Sequence, residues 1–358
     1  MKKYLLSSAL LLGVITLSAQ GEQPKPLIIS GYAEAYYIHD FSRPVNNSRP
    51  GFIYSHKRTN EVNINLAFIK AGYTTEKLRA NFAIAAGTYM NANYAAEPGV
   101  LKNILEANIG IKISNRHNLW IDVGVMPSHI GLESAVGKDC WTLTRSMAAE
   151  NSPYFETGAK ISYTSPDEKW LISALVLNGW QRIQRIDGNS TPAFGHQLTY
   201  KPNDNITLNS SSFIGSDKPD SSRQMRYFHN LYGIFKILEQ FSITAGFDIG
   251  TEQKVKSGKQ YNIWYAPLVL LRLTPDPGNS LNARLEYYSD ANAVIISTGA
   301  PSGFKTWGYS LNYDHLVKDN IALRIEGRGL HSGEKIFEKK GGATANNFSV
   351  AAAIAVSF

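Results

Sequence analysis

Thr306-Trp307-Gly308-Tyr309-Ser310-Leu311-Asn312-Tyr313-Asp314 and, after a polar turn at 316–319, Ile321-Ala322-Leu323-Arg324-Ile325-Glu326-Gly327-Arg328 decide how this 358-residue chain folds. Successive side chains of a β-strand point to opposite faces, so a repeat of two in polarity marks a strand that separates two environments. Trp307, Tyr309, Leu311 and Tyr313 share one face, and Thr306, Gly308, Ser310, Asn312 and Asp314 share the other. In the return run Ile321, Leu323 and Ile325 oppose Arg324, Glu326 and Arg328. A strand in the wall of a membrane barrel needs this pattern, with one row against lipid and the next against water.

The same alternation recurs upstream. Leu281, Ala283, Leu285 and Tyr287 oppose Asn282, Arg284, Glu286 and Tyr288, and Val62, Ile64, Leu66 and Phe68 are expected to oppose Glu61, Asn63 and Asn65. A soluble sandwich also alternates, so the connections carry the next step. Short turns rich in Asn, Asp, Pro and Lys fall near 74–77, 115–118, 165–168, 202–205, 238–240, 275–279 and 316–319. Longer polar loops fall between them, near 40–59, 90–102, 127–153, 180–193, 216–226, 251–259, 290–303 and 331–345. Eight long loops alternating with seven short turns give about sixteen strands, with short turns and both termini in the periplasm and long loops outside.

The expected fold is therefore all-β, a transmembrane antiparallel up-and-down barrel over residues 20–358. Its strands are expected near 27–39, 60–72, 78–89, 103–114, 119–126, 154–164, 169–179 and 194–201. The second half should follow near 206–215, 227–237, 241–250, 260–274, 280–289, 304–315, 320–330 and 346–358. Residues 1–19 have the form of a cleaved signal peptide: Lys2 and Lys3, an apolar run from Leu5 to Leu17, and Leu17-Ser18-Ala19 before Gln20. Past it there is no uninterrupted apolar stretch of about 18 residues, which excludes transmembrane helices. Localisation in the outer membrane of a Gram-negative cell follows.

Composition excludes several function classes. The formal charge of +7 and pI near 9.2 come from basic residues scattered among acids, with no basic run, so nucleic acid is not an expected partner. A basic balance suits anionic outer-membrane lipid, or a pore with a mild preference for anions. Cys140 is the lone cysteine and cannot pair within the chain. The histidines at 39, 56, 117, 196, 229, 315 and 331 have no metal-ligand spacing, and neither a metal nor a cofactor is expected. No His-Glu-x-x-His, Gly-x-Ser-x-Gly or phosphate-loop motif occurs, and enzymatic activity is not expected. Ser128-His129 is the one pair a hydrolase reading would use.

Aromatic residues near strand ends, Tyr36, Tyr37, Tyr89, Trp120, Trp170, Trp180, Trp264, Tyr265, Tyr287, Tyr288 and Trp307, are expected to form two girdles at the headgroups. The last strand places Phe348, Val350, Ala352, Ile354, Val356 and Phe358 on one face. Bacterial outer-membrane barrels typically end in a strand with a terminal Phe. The resemblance implies that the barrel-assembly machinery reads this strand through Phe358.

Several stretches carry a wider resemblance: Asn93-Tyr94-Ala95-Ala96-Glu97-Pro98, Pro127-Ser128-His129-Ile130-Gly131-Leu132-Glu133-Ser134-Ala135, Trp141-Thr142-Leu143-Thr144-Arg145-Ser146 and Ala149-Glu150-Asn151-Ser152-Pro153-Tyr154. Leu177-Asn178-Gly179-Trp180-Gln181-Arg182-Ile183, Ile214-Gly215-Ser216-Asp217-Lys218-Pro219-Asp220 and Gly303-Phe304-Lys305-Thr306 extend it. Together they resemble the putative β-barrel porin-2 (OmpL-like) family of outer-membrane proteins over nearly all of the mature chain. That resemblance implies a barrel and supplies no catalytic or binding residues.

The function expected is passive diffusion of small hydrophilic solutes or ions through a water-filled barrel. By analogy with other sixteen-stranded porins, the third long loop, 127–153, either folds inward and narrows the pore or forms an extracellular flap packed on the rim, and the protein forms a homo-oligomer. On the inward reading, loop residues His129, Glu133, Lys138, Asp139, Arg145 and Glu150 are constriction candidates. Wall residues Arg79, Glu106, Lys112, Asp122, Glu156, Lys160, Asp248, Arg284, Glu286, Arg324, Glu326 and Arg328 are lumen candidates. On the lipid face such charges would cost ~2–4 kcal/mol each at mid-membrane. Two other classes remain open from the sequence: a non-conducting barrel that binds a ligand or partner through its outer loops, and an outer-membrane hydrolase.

Overall fold

A computed structural model describes residues 26–358. The signal segment read at 1–19 lies outside the described residues. The first eight strands are β1 (Leu27–Asp40), β2 (Val62–Thr74), β3 (Leu78–Ala86), β4 (Ile104–Lys112), β5 (Asn118–Pro127), β6 (Phe155–Thr164), β7 (Trp170–Leu177) and β8 (Ala193–Asn203). There follow β9 (Ile206–Gly215), β10 (Arg226–Lys236), β11 (Phe241–Gln253), β12 (Tyr261–Asp276), β13 (Asn279–Asp290), β14 (Phe304–Lys318) and β15 (Ile321–Ser332). A small hairpin, β16 (Phe337–Lys339) and β17 (Gly342–Thr344), stands in the last long loop before β18 (Asn346–Ser357).

Apart from that hairpin, every strand pairs antiparallel with its chain neighbours, and β18 closes on β1 to make a barrel of sixteen strands. The closing register runs from Tyr32 opposite Ser357 to Asp40 opposite Ser349. Closure leaves no strand edge, which a lipid-embedded sheet cannot tolerate. Short turns gather at one end of the barrel and the longer loops at the other, because up-and-down connections must alternate ends.

The two faces separate as polarity dictates. On β14 the outward Trp307, Tyr309 and Leu311 are 50%, 54% and 64% exposed, whereas the inward Asn312 is 1% exposed. On β15 Leu323 and Ile325 face out, while Arg324, Glu326 and Arg328 are buried inside. Phe348, Ile354 and Phe358 on the outer side of the last strand are exposed in the same way.

Two expectations need correction. Along β2, Val62 and Ile64 do face outward, but Leu66 is fully buried and Phe68 turns inward to stack on Tyr32, with ring centroids 5.7 Å apart. A bulge is the cause: Glu34 pairs with Leu66 and Ala35 with Ile64, so Asn65 is the extra residue and the parity flips beyond it. Gly87 sits against this bulge with φ of 132°, where a Cβ would lie 2.3 Å from the Asn65 carbonyl oxygen. There β3 has ended, and the chain turns into the short helix α1 (Thr88–Asn93).

The aromatic girdle is also thinner than expected. Tyr37, Trp170, Tyr265, Tyr287 and Trp307 face outward, but Tyr36, Tyr89, Trp264 and Tyr288 are buried inside, Trp180 packs inward on Phe213 and Phe228, and Trp120 shares the inner row with Asp122. Pleating explains it, since in Tyr36-Tyr37, Trp264-Tyr265 and Tyr287-Tyr288 one ring of each pair must point inward.

Candidate functional site in the barrel interior

Inward rows of β13, β14 and β15 place six charges of alternating sign on one wall. The Arg284 guanidinium lies 2.9 Å from Glu326 and 3.2 Å from Glu286, Arg328 bonds Glu286 at 2.7 Å, and Arg324 bonds Asp314 at 2.7 Å. All are buried or nearly so, which is tolerable because each cation is flanked by carboxylates.

What buries them is the connection between β5 and β6. Thr144 N–H donates to Glu326 at 2.5 Å, Met147 N–H to Glu286 at 2.5 Å and Leu143 N–H to Asn312 at 3.0 Å. In return Arg284 donates to the Thr144 carbonyl at 2.6 Å, Arg328 to the Arg145 carbonyl at 2.8 Å, and Arg324 to the carbonyls of Gly137 and Cys140 at 2.6 and 2.9 Å. In a ring of sixteen, β13 and β14 stand opposite β5 and β6, so segment 128–154 crosses the barrel interior to reach them.

The segment arrives pre-folded. Arg145, fully buried, donates to the carbonyls of Ser134, Leu143 and Ala135 and ties both limbs together. Ser146 caps the helical turn α2 (Met147–Glu150) by accepting from Ala149 N–H, and its own N–H and hydroxyl both reach Glu133. At the root, His129 Nδ1 lies 2.6 Å from Glu156 and Nε2 lies 2.9 Å from the Ser212 carbonyl. Burial pulls the His129 pKa down, yet the Glu156 carboxylate outweighs it and the net shift is upward. Ser128 Oγ accepts from Ile130 N–H at 3.0 Å, so the adjacent Ser128 and His129 spend their polar atoms on backbone and wall. The Cys140 thiol is buried and pushed up to about 11 by desolvation, which keeps it an unreactive thiol.

The first long loop, 41–61, packs on this segment. Glu150 accepts from Tyr54 and Ser55 N–H at 2.9 and 3.0 Å; burial raises its carboxyl pKa against the pull of those donors. His56 stands 3.2 Å from Glu34, which also takes a hydrogen bond from Asn65. Burial lowers the His56 pKa despite the facing carboxylate. Phe52, Ile53, Met147, Leu268, Phe304, Leu330 and Phe337 form an apolar cluster between loops and wall.

The wall from β3 to β6 is different. Lys70, on the adjoining β2, pairs with Glu106 at 2.8 Å, and Arg79 forks onto Asp122 at 2.5 Å while its guanidinium lies 4.4 Å over Trp120. Arg79 keeps a third of its side chain exposed. Lys112 and Lys160 face inward, half-buried, with no carboxylate within 4.0 Å among the described residues. Lys138 and Asp139, from the crossing segment, pair with each other at 2.9 Å and stay partly exposed.

The structure thus groups Glu133, Arg145, Arg284, Glu286, Arg324, Glu326 and Arg328 in one seat, places His129 and Glu156 at the root, and sets Arg79, Glu106, Lys112 and Lys160 on the open wall. Asp248 lies apart from both, bonded to Asn230. Glu34, His56, Lys70 and Asp314 complete these networks, Arg49 is buried beside them with no hydrogen-bond partner for its two terminal nitrogens among the described residues, and no motif in the sequence marks any of the five. Asp314 and Lys70 sit on inward rows that alternation already marks; Arg49 and His56 lie in an irregular loop with no such signal.

The profile of a family described as "Putative beta-barrel porin-2, OmpL-like" matches residues 26–358. No curated protein matches the chain. Among solved structures, an anion-selective porin from Comamonas acidovorans is similar with 10% identity and TM-score 0.60, covering 93% of this chain and 99% of that one. OmpF of Salmonella typhi in complex with daunomycin is similar with 10% identity and TM-score 0.62, covering 93% and 97%. OmpT of Vibrio cholerae, folded in vitro in a trimer form, is similar with 10% identity and TM-score 0.57, covering 93% and 99%. At such identities these likenesses concern the fold.

Proposed function

Because this chain belongs to the putative beta-barrel porin-2, OmpL-like family and is an outer-membrane porin, we propose that small hydrophilic solutes and ions diffuse passively between the crossing segment 128–154 and the wall of β3 to β6. The observation that carries this reading is the contrast between the two inner walls. Backbone and side chains of the segment fill the side of β13 to β15, so the segment narrows the lumen and leaves a passage on the other side. Polar side chains line it: Arg79, Lys112 and Lys160, which keep contact with water, beside the largely buried Glu106 and Asp122, with Lys138 and Asp139 on the segment.

Each carboxylate of that wall has a basic partner while Lys112 and Lys160 have none among the described residues, so the passage favours anions. Substrate chemistry is not required of it. His129 holds the root of the segment, and Ser128 turns the backbone beside it, so neither serves as a hydrolytic group. Long loops face outside, both termini face the periplasm, the β18 strand is read during assembly, and copies associate in the membrane.

Liposome swelling tests the reading. Vesicles carrying the purified protein should swell in isotonic small sugars at rates that fall with solute size, and zero-current potentials in a salt gradient should report anion preference. Vesicles that stay tight to every small solute would instead make this a closed barrel whose loops bind a ligand.

A further inference from the structure

The outer wall of β8, β9 and β10 interrupts the apolar coat with a polar cluster. His196, Ser212 and His229 stand side by side in the strand register, and Ser210 lies one outward step below Ser212. Ser212 Oγ is 2.6 Å from His196 Nδ1, and Ser210 Oγ is 3.3 Å from His196 Nε2 and 3.1 Å from His229 Nε2. The two imidazoles are 5.7 Å apart. These are outward positions: Phe194, Leu198, Ile214, Leu208, Tyr227 and Leu231 alternate with the inward rows on the same strands and are exposed.

Those six apolar residues also fix the depth. Phe194, Ile214 and Tyr227 lie toward the long loops and Leu198, Leu208 and Leu231 toward the short turns, so the cluster sits within the apolar band. The neighbouring strands present Ile172, Ala174 and Val176 on one side and Ile243, Ala245, Phe247 and Ile249 on the other. Acyl chains offer neither donor nor acceptor, and polar groups left against them are costly. His229 Nδ1 has no partner among the described residues, so the cluster is not complete within one chain.

We propose that this patch is where a second copy of the chain docks in the plane of the membrane; the proposal rests on the self-association part of the reading above and not on its conduction part. Imidazole and hydroxyl each donate and accept, so the patch is its own chemical complement across a symmetric contact. Ala174, opposite His196 in register, and Ala245 leave room for close approach beside the polar centre, as small residues do at contacts between membrane segments. An apolar groove between Leu198, Leu208, Leu231 and Phe247 continues the face toward the short turns and receives side chains from the partner.

The test uses the full-length protein in lipid vesicles with Cys140→Ala as background. His229→Cys should form a disulfide between copies on mild oxidation, and Ile325→Cys, on the outer wall far around the ring, should not. His196→Leu combined with His229→Leu should shift the protein at least tenfold toward monomer by native mass spectrometry, with conduction per chain retained. Monomeric wild type, cross-linking at 325 in place of 229, or an unchanged assembly in the double leucine variant each overturns the proposal. If the leucine variant fails to fold, the cross-linking pair alone decides. Failure of conduction with cross-linking intact would strike the pore reading and leave this one standing.

Discussion

The inner walls of β13 to β15 and of β3 to β6 are made from the same kinds of side chain and have opposite fates. Both alternate Arg or Lys with Asp or Glu. On the first wall the charges are sealed under the segment 128–154, whose N–H groups and carbonyls are bonded to Glu286, Glu326, Arg284 and Arg328. On the second, Arg79 and Asp122 or Lys70 and Glu106 satisfy one another, and Arg79, Lys112 and Lys160 keep contact with water. Sealed charges act as structure because nothing else can solvate them; wet charges are free to act on a passing ion.

The largest expected effect breaks the sealed wall. Glu286→Ala leaves Arg284 and Arg328 short of a carboxylate and frees Met147 N–H, a loss of about 3–5 kcal/mol. Chemical unfolding in detergent should show it, with larger and noisier conductance from an unseated segment. Lys112→Ala, on the wet wall and with no carboxylate within 4.0 Å among the described residues, should cost about 0.5 kcal/mol or less. Equal losses at the two sites would erase the distinction.

Charge reversal sharpens the other side. Lys112→Glu with Lys160→Glu should lower the anion-to-cation permeability ratio severalfold, read from zero-current potentials, with little change in unfolding midpoint. The same reversal at Arg328 should instead unseat the segment.

A smaller effect separates the two loop clamps by pH. His129 has a raised pKa, so its contribution is full below the ordinary imidazole value of about 6.5 and is lost as pH rises through the raised value. His56 is lowered, so its contribution is present above about 6.5 and is lost as pH falls through the lowered value. His129→Gln should therefore cost more stability in mild acid than in mild base, and His56→Gln the reverse, as midpoints measured across pH will tell. The smallest change is Ser128→Ala, which removes one turn hydrogen bond worth about 1 kcal/mol and should leave permeation untouched.

The barrel was legible because alternation and connection length are local. Trp307 to Tyr313 and Ile321 to Arg328 show their faces without reference to any other strand. The bulge at Asn65 was not legible, since Ile64 and Leu66 are both apolar and polarity cannot say which of them meets lipid. Adjacent aromatics misled for a like reason: the rings of Tyr287 and Tyr288 suit the headgroups equally well, and only the pleat separates them. Analogy offers an inward course for the third long loop, but where it seats is not legible. Thr144 and Arg284 are 140 residues apart, and alternation marks Arg284 as inward without naming what it faces.

Conduction as proposed requires a water-filled passage along the wall that carries Lys160. Single-channel recording in planar bilayers of Lys160→Cys, in a Cys140→Ala background, tests it most directly. Stepwise conductance should drop when a charged thiol reagent reaches the new cysteine, with no such drop for Ser310→Cys, buried on the sealed wall. Absence of conductance steps, or a response at 310 and none at 160, would contradict it.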